Sequence, residues 1–277
     1  MQSHYFGVGS IVSWAEAGVG AVANQSVPGP GYGARGLELM RAGTSAPEAL
    51  QGLLSADEQE SVRQLALVDR QGRVAVHSGA RCIREAGHRV ADGVSAQANI
   101  MERSTVPDAM VEAYLANPGD LAERLLAALE AAEGEGGDLR GRQSAALLVA
   151  SPQVGAAAGE LPFDLRVEDH GNPLSELSRL VVARRAYRRV DAGDELAAGG
   201  DSEGAFAEYR AAHECQPDNA ELAFWHGVAL ASAGREAEAR PLLEAAYREN
   251  EGWRELLGRL PAAGLFPDDQ ALVDRLV

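Results

Sequence analysis

A histidine, a hydroxyl and a thiol lie close together in the segment His77-Ser78-Gly79-Ala80-Arg81-Cys82. The thiolate is the nucleophilic form of cysteine, and the positive charge of Arg81 would favour it. His77 is then the candidate base for Cys82, and Arg81 is a candidate for binding substrate. Neighbouring strand residues point to opposite faces, so sequence closeness alone does not bring His77 and Cys82 together. The alternative is a buried structural cysteine, which is the more common role.

Arginine must supply any basic side chain that binds an anion, because none of the 25 basic residues is a lysine. Arg142 lies between a predicted helix and an apolar predicted strand, near Asp138 and Ser144. The planar guanidinium binds a carboxylate through two parallel hydrogen bonds, so Arg142 is a candidate for holding a substrate carboxylate. Ser144 is a candidate catalytic hydroxyl. The alternative is an ion pair between Arg142 and Asp138 that ties the loop.

The segment Gly31-Tyr32-Gly33-Ala34-Arg35-Gly36 has the glycine spacing of a dinucleotide-binding loop. That loop requires a strand leading directly into the glycines of a parallel unit, and here other residues intervene in an antiparallel pattern. We therefore expect no cofactor, and interpret the glycines as a tight helix entry with Arg35 available to bind a substrate carboxylate. Glu168, Asp169 and His170 are consecutive and cannot all face one ion on a strand, so we expect no metal.

Length and charge narrow the classes of protein further. The 277 residues are 46% hydrophobic and carry a formal net charge of −16. The lack of lysine excludes Schiff-base, serine–lysine and P-loop lysine chemistry. The negative charge disfavours nucleic acid and membrane surfaces as partners. Two distant cysteines, no apolar run near the roughly 18 residues of a membrane span, and no basic region ahead of an apolar core predict a cytoplasmic protein.

The elements that must position these side chains are short strands alternating with helices up to about residue 170. Apolar runs at 63–69 and 73–78 flank a glycine-bearing turn and predict an antiparallel hairpin. Ser45 with Glu48 three residues later predicts a helix that begins with a capping box. Leucines at helical spacing predict a helix whose apolar stripe packs on a sheet: Leu121, Leu125, Leu126 and Leu129. With a further strand predicted at 7–13, this order predicts an α+β sandwich of two sheets covered by helices.

Residues 172–277 carry an internal repeat with a period of 34 residues. Small residues recur at this spacing, as in Gly193 and Gly227 or Ala212 and Ala246. Antiparallel helices approach closely only where side chains are small, so we predict stacked helices that resemble tetratricopeptide repeats. Such repeats bind extended peptides through their inner groove, which suggests a protein or peptide partner.

Six collinear segments before residue 171 carry a resemblance to a known family: SHYFGVGSIVSWAEAGVGAVANQS (3–26), YGARGLELMRAG (32–43), RQLALVDRQGRVAVHSGARC (63–82), QANIM (97–101), DLRGRQSAALLV (138–149) and DLRVEDH (164–170). They resemble the family called domain of unknown function 1028, which is placed in the N-terminal nucleophile (Ntn) hydrolase-like fold. The resemblance implies a four-layer αββα sandwich over residues 1–171. It implies no particular reaction, because the family's substrate is not established.

Ntn hydrolases use a threonine, serine or cysteine at the first residue of the mature chain, whose own α-amine is the base. The resemblance implies about one more strand ahead of the SHYFGVG segment, at which this sequence begins. We therefore expect the nucleophile position to lie outside the sequence, either because the start codon lies upstream of Met1 or because the chain is truncated and inert. Loss of a central strand would expose two unpaired edges, which favours the first hypothesis.

Gln97 and Asn99 alternate with Ala96 and Ala98, so both amides lie on one face of a strand. In an Ntn-like fold such an amide can stabilise an oxyanion, which makes Asn99 a candidate catalytic residue and Gln97 a candidate for binding substrate. A buried cross-strand hydrogen bond is the alternative.

The fold resemblance implies hydrolysis of an amide bond in a small molecule or peptide, with the repeats binding a partner. The alternative is a non-catalytic interaction protein, in which the sandwich is a degenerate scaffold. A third possibility is assembly through an exposed sheet edge, which predicts a homodimer in solution.

Overall fold

The computed structural model describes residues 1–29, 31–152 and 161–277. They form two compact units, Met1–Val181 and Val182–Val277. The boundary lies inside one long helix, Pro173–Ala198, whereas the sequence analysis divides the chain just before that helix begins. The named strands all belong to the first unit, and the second unit is helical.

The described strands of the first unit are short and pair in antiparallel fashion. They are β1 (Gln2–Ser3), β2 (Ser13–Glu16), β3 (Gly20–Ser26), β4 (Arg63–Asp69), β5 (Val74–Ser78), β6 (Gly87–Ala91), β7 (Val94–Ala98), β8 (Ser144–Val149) and β9 (Phe163–Val167). Its helices are α1 (Gly9–Val12), α2 (Tyr32–Arg41), α3 (Ala46–Ser55), α4 (Val106–Ala116), α5 (Leu121–Gly134) and the start of α6 (Pro173–Ala198). The second unit continues with α7 (Ser202–Cys215), α8 (Ala220–Ser232), α9 (Glu236–Glu249), α10 (Gly252–Arg259) and α11 (Gln270–Leu276).

A four-stranded sheet, in the order β2-β3-β4-β5, packs one face against α2 and α3. Side chains alternate along β4, so Leu65 and Leu67 both point toward the helices and are buried there. The predicted hairpin is confirmed, with Leu67 of β4 opposite Ala75 of β5. The predicted capping box is confirmed too, because Ser45 and Glu48 exchange hydrogen bonds at the start of α3.

Helix α2 lies close against this sheet because two of its residues lack a side chain. A Cβ atom on Gly33 would lie 2.3 Å from the ring of Trp14, and one on Gly36 would lie 3.0 Å from Val22. Gly31 precedes the helix with a φ of +75°, which glycine adopts without strain. The glycines of the dinucleotide-like segment therefore allow the helix to begin and to pack on the sheet.

We expect Gly33→Ala to destabilise the first unit by about 2 kcal/mol, because the added methyl group overlaps the Trp14 ring. That ring is held by a hydrogen bond from Trp14 Nε1 to the Ile11 carbonyl oxygen (3.0 Å). Gly52→Ala on α3 is the matched control, since no atom lies within 4 Å of its added Cβ. It should stabilise the chain by about 0.5–1 kcal/mol, because alanine lowers the backbone entropy of the unfolded chain. Urea unfolding measures both, and a stabilised Gly33→Ala chain would contradict the packing argument.

The second sheet, in the order β1-β8-β9, packs one face against α5 and α6. Leu147 of β8 lies in one buried cluster with Leu126 and Leu129 of α5 and with Leu177 of α6. The predicted packing of α5 on a sheet is confirmed. The apolar stripe is shorter than predicted, because Leu121 in the first turn is 45% exposed.

A cavity of about 970 Å³ is lined by residues of both sheets. Leu65, Leu67 and Leu147 point toward the helices, so the alternate positions lie on the opposite face. Several of those positions carry alanine and line the cavity: Ala21, Ala23, Ala66 and Ala146. Because these side chains are small, they leave the space between the sheets unfilled. Residues of β7, α4 and α5 complete the wall.

The strand predicted at residues 7–13 is wrong. Helix α1 occupies Gly9–Val12, and β2 begins only at Ser13. Gly9 lies so near β8 that a Cβ atom would be 2.4 Å from Ala146, and the helical turn buries Val12. The sequence also does not predict β6, because its residues are mostly exposed and lack the apolar alternation of a half-buried strand.

In the second unit, the helices pack around a cluster that includes the buried side chains Phe224 and Leu257. Two glycines separated by the period of 34 make similar close contacts with the following helix. A Cβ atom on Gly193 would lie 2.5 Å from Tyr209, and one on Gly227 would lie 2.9 Å from Leu243. In both cases the contacted residue follows the glycine by 16 positions. The small residues at this period therefore mark close approaches between helices.

His226 and Tyr247 of the second unit are titratable side chains that are buried with an unpaired polar atom. His226 of α8 is 8% exposed, and its Nδ1 atom has no hydrogen-bond partner. Its ring centroid lies 6.5 Å from that of Tyr209. Burial, assisted by the neighbouring His213, Arg210 and Arg235, lowers the pKa of His226 to about 4. The imidazole is therefore neutral near pH 7.

Across the described ranges, no helix has both the length and the apolar character that a membrane crossing requires. Both cysteines are free thiols, with Cys82 buried and Cys215 exposed. The first unit is a mixed unit of helices and antiparallel sheets and the second is helical, which agrees with the predicted fold class at that level.

Candidate functional site

The side-chain amide of Gln64, on β4, joins the four-stranded sheet to the hairpin formed by β6 and β7. Gln64 is fully buried. Its Nε2 atom carries two hydrogens, which three acceptors share: Ser78 Oγ (2.8 Å) and the carbonyl oxygens of Ala98 (3.0 Å) and Gly87 (3.1 Å). Carbonyl oxygens only accept hydrogen bonds, so the Gln64 atom that faces Ala98 and Gly87 must be the amide nitrogen. This fixes the orientation of the Gln64 amide.

The other end of the Gln64 amide holds two amides that line the cavity. Gln64 Oε1 accepts hydrogen bonds from Gln25 Nε2 (2.8 Å) and from Asn99 Nδ2 (3.0 Å). Gln25 Nε2 also donates to the backbone oxygen of Gln97 (3.3 Å). The side chain of Gln97 accepts from Ser95 Oγ (3.4 Å) and lines the cavity as well. Gln97 and Asn99 therefore lie at the same part of the cavity wall, as predicted. Together with Gln25 they form a cluster of three amides there.

Backbone strain accompanies this cluster. Ser26, directly after Gln25, has a φ of +67°, and Ile100, directly after Asn99, has a φ of +60°. Both residues line the cavity. Positive φ is rare for residues other than glycine, and for a β-branched residue such as isoleucine it is an outlier. Strain of this kind costs about 1–3 kcal/mol per residue and is concentrated at functional sites.

A second polar group lies at another part of the cavity wall. The buried carboxylate of Asp138 forms an ion pair with Arg140 (2.7 Å) and accepts a hydrogen bond from Ser3 Oγ (3.2 Å). Burial alone would raise the pKa of Asp138, but hydrogen bonds from Arg140 and from the backbone of His4 hold it below its ordinary value. A carboxylate with a low pKa is a weak base, so Asp138 orients Ser3 rather than activating it.

A known protein family matches most of this chain, including the residues that form this site. The model described as "Family of unknown function (DUF1028)" matches residues 1–177. The chain belongs to the DUF1028 family. The resemblance seen in the sequence is confirmed at this level. We call the first unit, Met1–Val181, the DUF1028 domain.

A solved structure of the same family is similar in fold. The crystal structure of protein SPO2555 from Silicibacter pomeroyi, described with the family model DUF1028, is 30% identical to this chain with a TM-score of 0.58. The match covers 65% of this chain and 79% of that one. No curated protein matches the chain.

Within the DUF1028 domain, the structure does not bring His77 and Cys82 together. His77 Nε2 lies 2.9 Å from both the backbone oxygen and the carboxylate of Glu60. The Cys82 thiol is buried and donates to the backbone oxygen of Arg63 (3.3 Å). Neither His77 nor Cys82 lines the cavity. Arg81, next to Cys82, is exposed and also lies away from the cavity wall.

Ser144 and Arg142 are both engaged by other parts of the DUF1028 domain. The buried Ser144 hydroxyl donates to the backbone oxygen of Tyr5 and accepts from the backbone N–H of Val8 (3.1 Å). Arg142 pairs with Glu133 (3.1 Å) rather than with Asp138, whose partner is Arg140. The predicted Arg142–Asp138 ion pair is therefore wrong, because the Asp138 carboxylate is paired with Arg140.

Arg35 is exposed on α2 and does not line the cavity. Of the eight residues predicted for a site, only Gln97 and Asn99 lie at the cavity wall. In the described ranges no group of three or more histidine, cysteine, aspartate or glutamate side chains could hold a metal ion.

Sequence reasoning missed Gln64, on which the amide cluster depends. A signal for Gln64 exists, because this polar residue directly precedes the apolar run Leu65-Ala66-Leu67-Val68 of the predicted strand. A buried amide requires partners for its N–H and C=O groups, so such a residue indicates a polar network. The sequence analysis also missed the hydrogen bond between Ser78 Oγ and His88 Nδ1 (2.9 Å), because β6 is not predicted.

Proposed function

We propose that the DUF1028 domain binds, in the cavity between its sheets, an apolar ligand that carries an amide group. One observation carries the proposal: Gln25 and Asn99 are fixed on the buried Gln64 and line the cavity beside two strained residues. A largely apolar cavity with a few rigidly placed polar groups is typical of small-molecule sites.

An amide ligand fits this wall better than a carboxylate. Amide side chains both donate and accept hydrogen bonds, and so does an amide ligand, whereas a carboxylate only accepts them. The charged residues at the cavity wall are three acids and two arginines: Glu16, Glu133, Asp138, Arg70 and Arg140. Since Arg140 is already paired with Asp138, this set supplies no excess positive charge to attract an anion.

Calorimetric titration with octanamide tests the proposal, with octanoate as the matched anionic ligand. We expect octanamide to bind more tightly than octanoate. Gln97→Ala should weaken octanamide about tenfold, since one lost hydrogen bond costs about 1–1.5 kcal/mol. This variant leaves the Gln64 hydrogen bonds in place, because Gln97 contributes only its backbone oxygen to the network.

Gln51→Ala, at an exposed position of α3, is the control and should not change the affinity. Equal affinities for octanamide and octanoate, or an unchanged affinity in Gln97→Ala, would contradict binding at the amide cluster.

A second candidate function is hydrolysis of an amide bond in a small molecule or peptide. It is supported by the order of layers, in which α2 and α3, a sheet, the cavity, a second sheet, and α5 with α6 follow one another. This order fits the αββα sandwich of Ntn hydrolases, in which Asn99 could stabilise an oxyanion. Octanoate released in the titration samples, measured by mass spectrometry, would support hydrolysis; octanamide unchanged after long incubation would contradict it.

For the second unit we infer repeats that resemble tetratricopeptide repeats and bind an extended peptide of a partner protein. The support is the pair of equivalent glycine contacts, at Gly193 and Gly227, separated by the period of 34. If the DUF1028 domain proves not to be catalytic, this arrangement favours an interaction protein, in which the cavity binds one ligand and the helices bind another.

A further inference from the structure

A serine and a histidine meet at the end of the Gln64 network that lies away from the cavity. Ser78 is the last residue of β5, and His88 lies on β6. Ser78 Oγ is 2.9 Å from His88 Nδ1. His88 is exposed and Ser78 is partly exposed, so both are open to a reagent in solution. Neither residue lines the cavity.

Gln64 occupies one acceptor site of the Ser78 hydroxyl. Gln64 Nε2 lies 2.8 Å from Ser78 Oγ and can only donate, so the serine oxygen accepts from it. The hydroxyl proton of Ser78 stays available to a further acceptor, and His88 Nδ1 lies at hydrogen-bond distance from it. In the tautomer that carries its proton on Nε2, His88 Nδ1 accepts from Ser78 Oγ, which is the arrangement in which histidine acts as a general base. An activated serine requires this arrangement of hydroxyl and base within hydrogen-bond distance.

The position of Ser78 is also fixed by the backbone. The N–H of Gly79 donates to the backbone oxygen of Arg63 (2.9 Å). A Cβ atom on Gly79 would lie 2.3 Å from the backbone oxygen of Ser61. The chain therefore approaches its neighbour closely just after Ser78, and the serine is held between this contact and the amide of Gln64. A nucleophile held in one geometry loses little entropy on reaction.

We propose that Ser78 and His88 form a nucleophile–base pair that hydrolyses carboxylic esters, an activity beyond the binding function of the cavity. Ser78 Oγ attacks the ester carbonyl carbon while its proton passes to His88 Nδ1. The tetrahedral adduct collapses, the bond to the alcohol oxygen breaks, and the alcohol leaves with the proton. Water then attacks the acyl-serine, His88 transfers the water proton to Ser78 Oγ, and the carboxylic acid is released. The net reaction converts ester and water to acid and alcohol.

A fluorophosphonate tests the pair, because it forms a phosphorus–oxygen bond with an activated serine and loses fluoride. The full chain is incubated with the probe and mapped by peptide mass spectrometry. We expect an adduct on Ser78 that disappears in Ser78→Ala and forms at least tenfold more slowly in His88→Gln. The matched controls are Ser55→Ala and His170→Gln, at exposed positions elsewhere, and both should label at the original rate. Labelling of Ser78 at an equal rate without His88, or no adduct on Ser78, would overturn the proposal.

A cysteine at the same position provides a second measurement. In Ser78→Cys, His88 should increase the rate of alkylation by iodoacetamide near pH 7, because it accepts the thiol proton. We expect the double variant Ser78→Cys/His88→Gln to react at least tenfold more slowly. Equal alkylation rates in the two chains would contradict the base role of His88. Neither measurement involves octanamide, so failure of the binding proposal and failure of this one are distinguishable.

Discussion

Replacement of Gln64 by leucine is expected to lower the free energy of unfolding of the DUF1028 domain by about 4 kcal/mol. Leucine retains the bulk of the side chain but removes the amide that joins five partners: Ser78, Gly87, Ala98, Gln25 and Asn99. Each buried polar group left without a partner costs about 1–3 kcal/mol. Some of these groups regain water at the cavity side, so the total stays well below the sum of five full penalties.

Hydrogen exchange of the β4 amides, measured by mass spectrometry, reports this loss. The control is Gln51→Leu on α3, where the side chain is exposed and an effect within about 0.5 kcal/mol is expected. If the β4 amides of Gln64→Leu exchanged as slowly as those of the original chain, the hydrogen bonds of Gln64 between the sheet and the hairpin would not contribute to stability.

Acid is expected to destabilise the second unit through His226. The pKa of His226 is about 4 in the folded chain, because of burial, against an ordinary value of 6.5 in the unfolded chain. Above pH 6.5 both states are neutral, and the group does not affect stability. As the pH falls from 6.5 toward 4, the unfolded chain binds a proton that the folded chain resists, so stability is lost. The loss from this group reaches about 3 kcal/mol by pH 4, since one pKa unit corresponds to about 1.4 kcal/mol.

Urea unfolding at several pH values measures this loss by tryptophan fluorescence. In a Trp14→Phe chain the remaining indoles, Trp225 and Trp253, both lie in the second unit. His226→Phe keeps an aromatic ring against Tyr209 and removes the titration, so it should flatten the dependence between pH 6.5 and pH 4. An equally steep loss in His226→Phe would assign the acid sensitivity to other groups, such as the nearby Glu238.

The parts of the fold that the sequence predicts correctly depend on nearby residues. The hairpin of β4 and β5 follows from two apolar runs around a turn, and the cap of α3 follows from Ser45 and Glu48. The strand predicted at 7–13 fails where the chain forms a helical turn at Gly9, which lies against Ala146, far along the chain. Tertiary contact overrides the local apolar pattern there.

The candidate site was predictable only where one strand carries it. Strand alternation predicts that Gln97 and Asn99 share a face, and the structure places both at the cavity although β7 ends at Ala98. Gln25 and Gln64 join them through pairing of β3 with β4 and through contact with the β6–β7 hairpin, which no local pattern encodes. Likewise, the histidine that contacts Ser78 is His88 of another strand, and not His77, which is the neighbour of Ser78 in sequence.

The cavity of about 970 Å³ between the sheets also determines how the DUF1028 domain responds to hydrostatic pressure. Unfolding eliminates internal void volume, so pressure favours the unfolded chain to the extent that the space between the sheets excludes water. A bound ligand that fills this space would remove much of the volume change. The domain is thus expected to be barosensitive when empty and resistant when occupied.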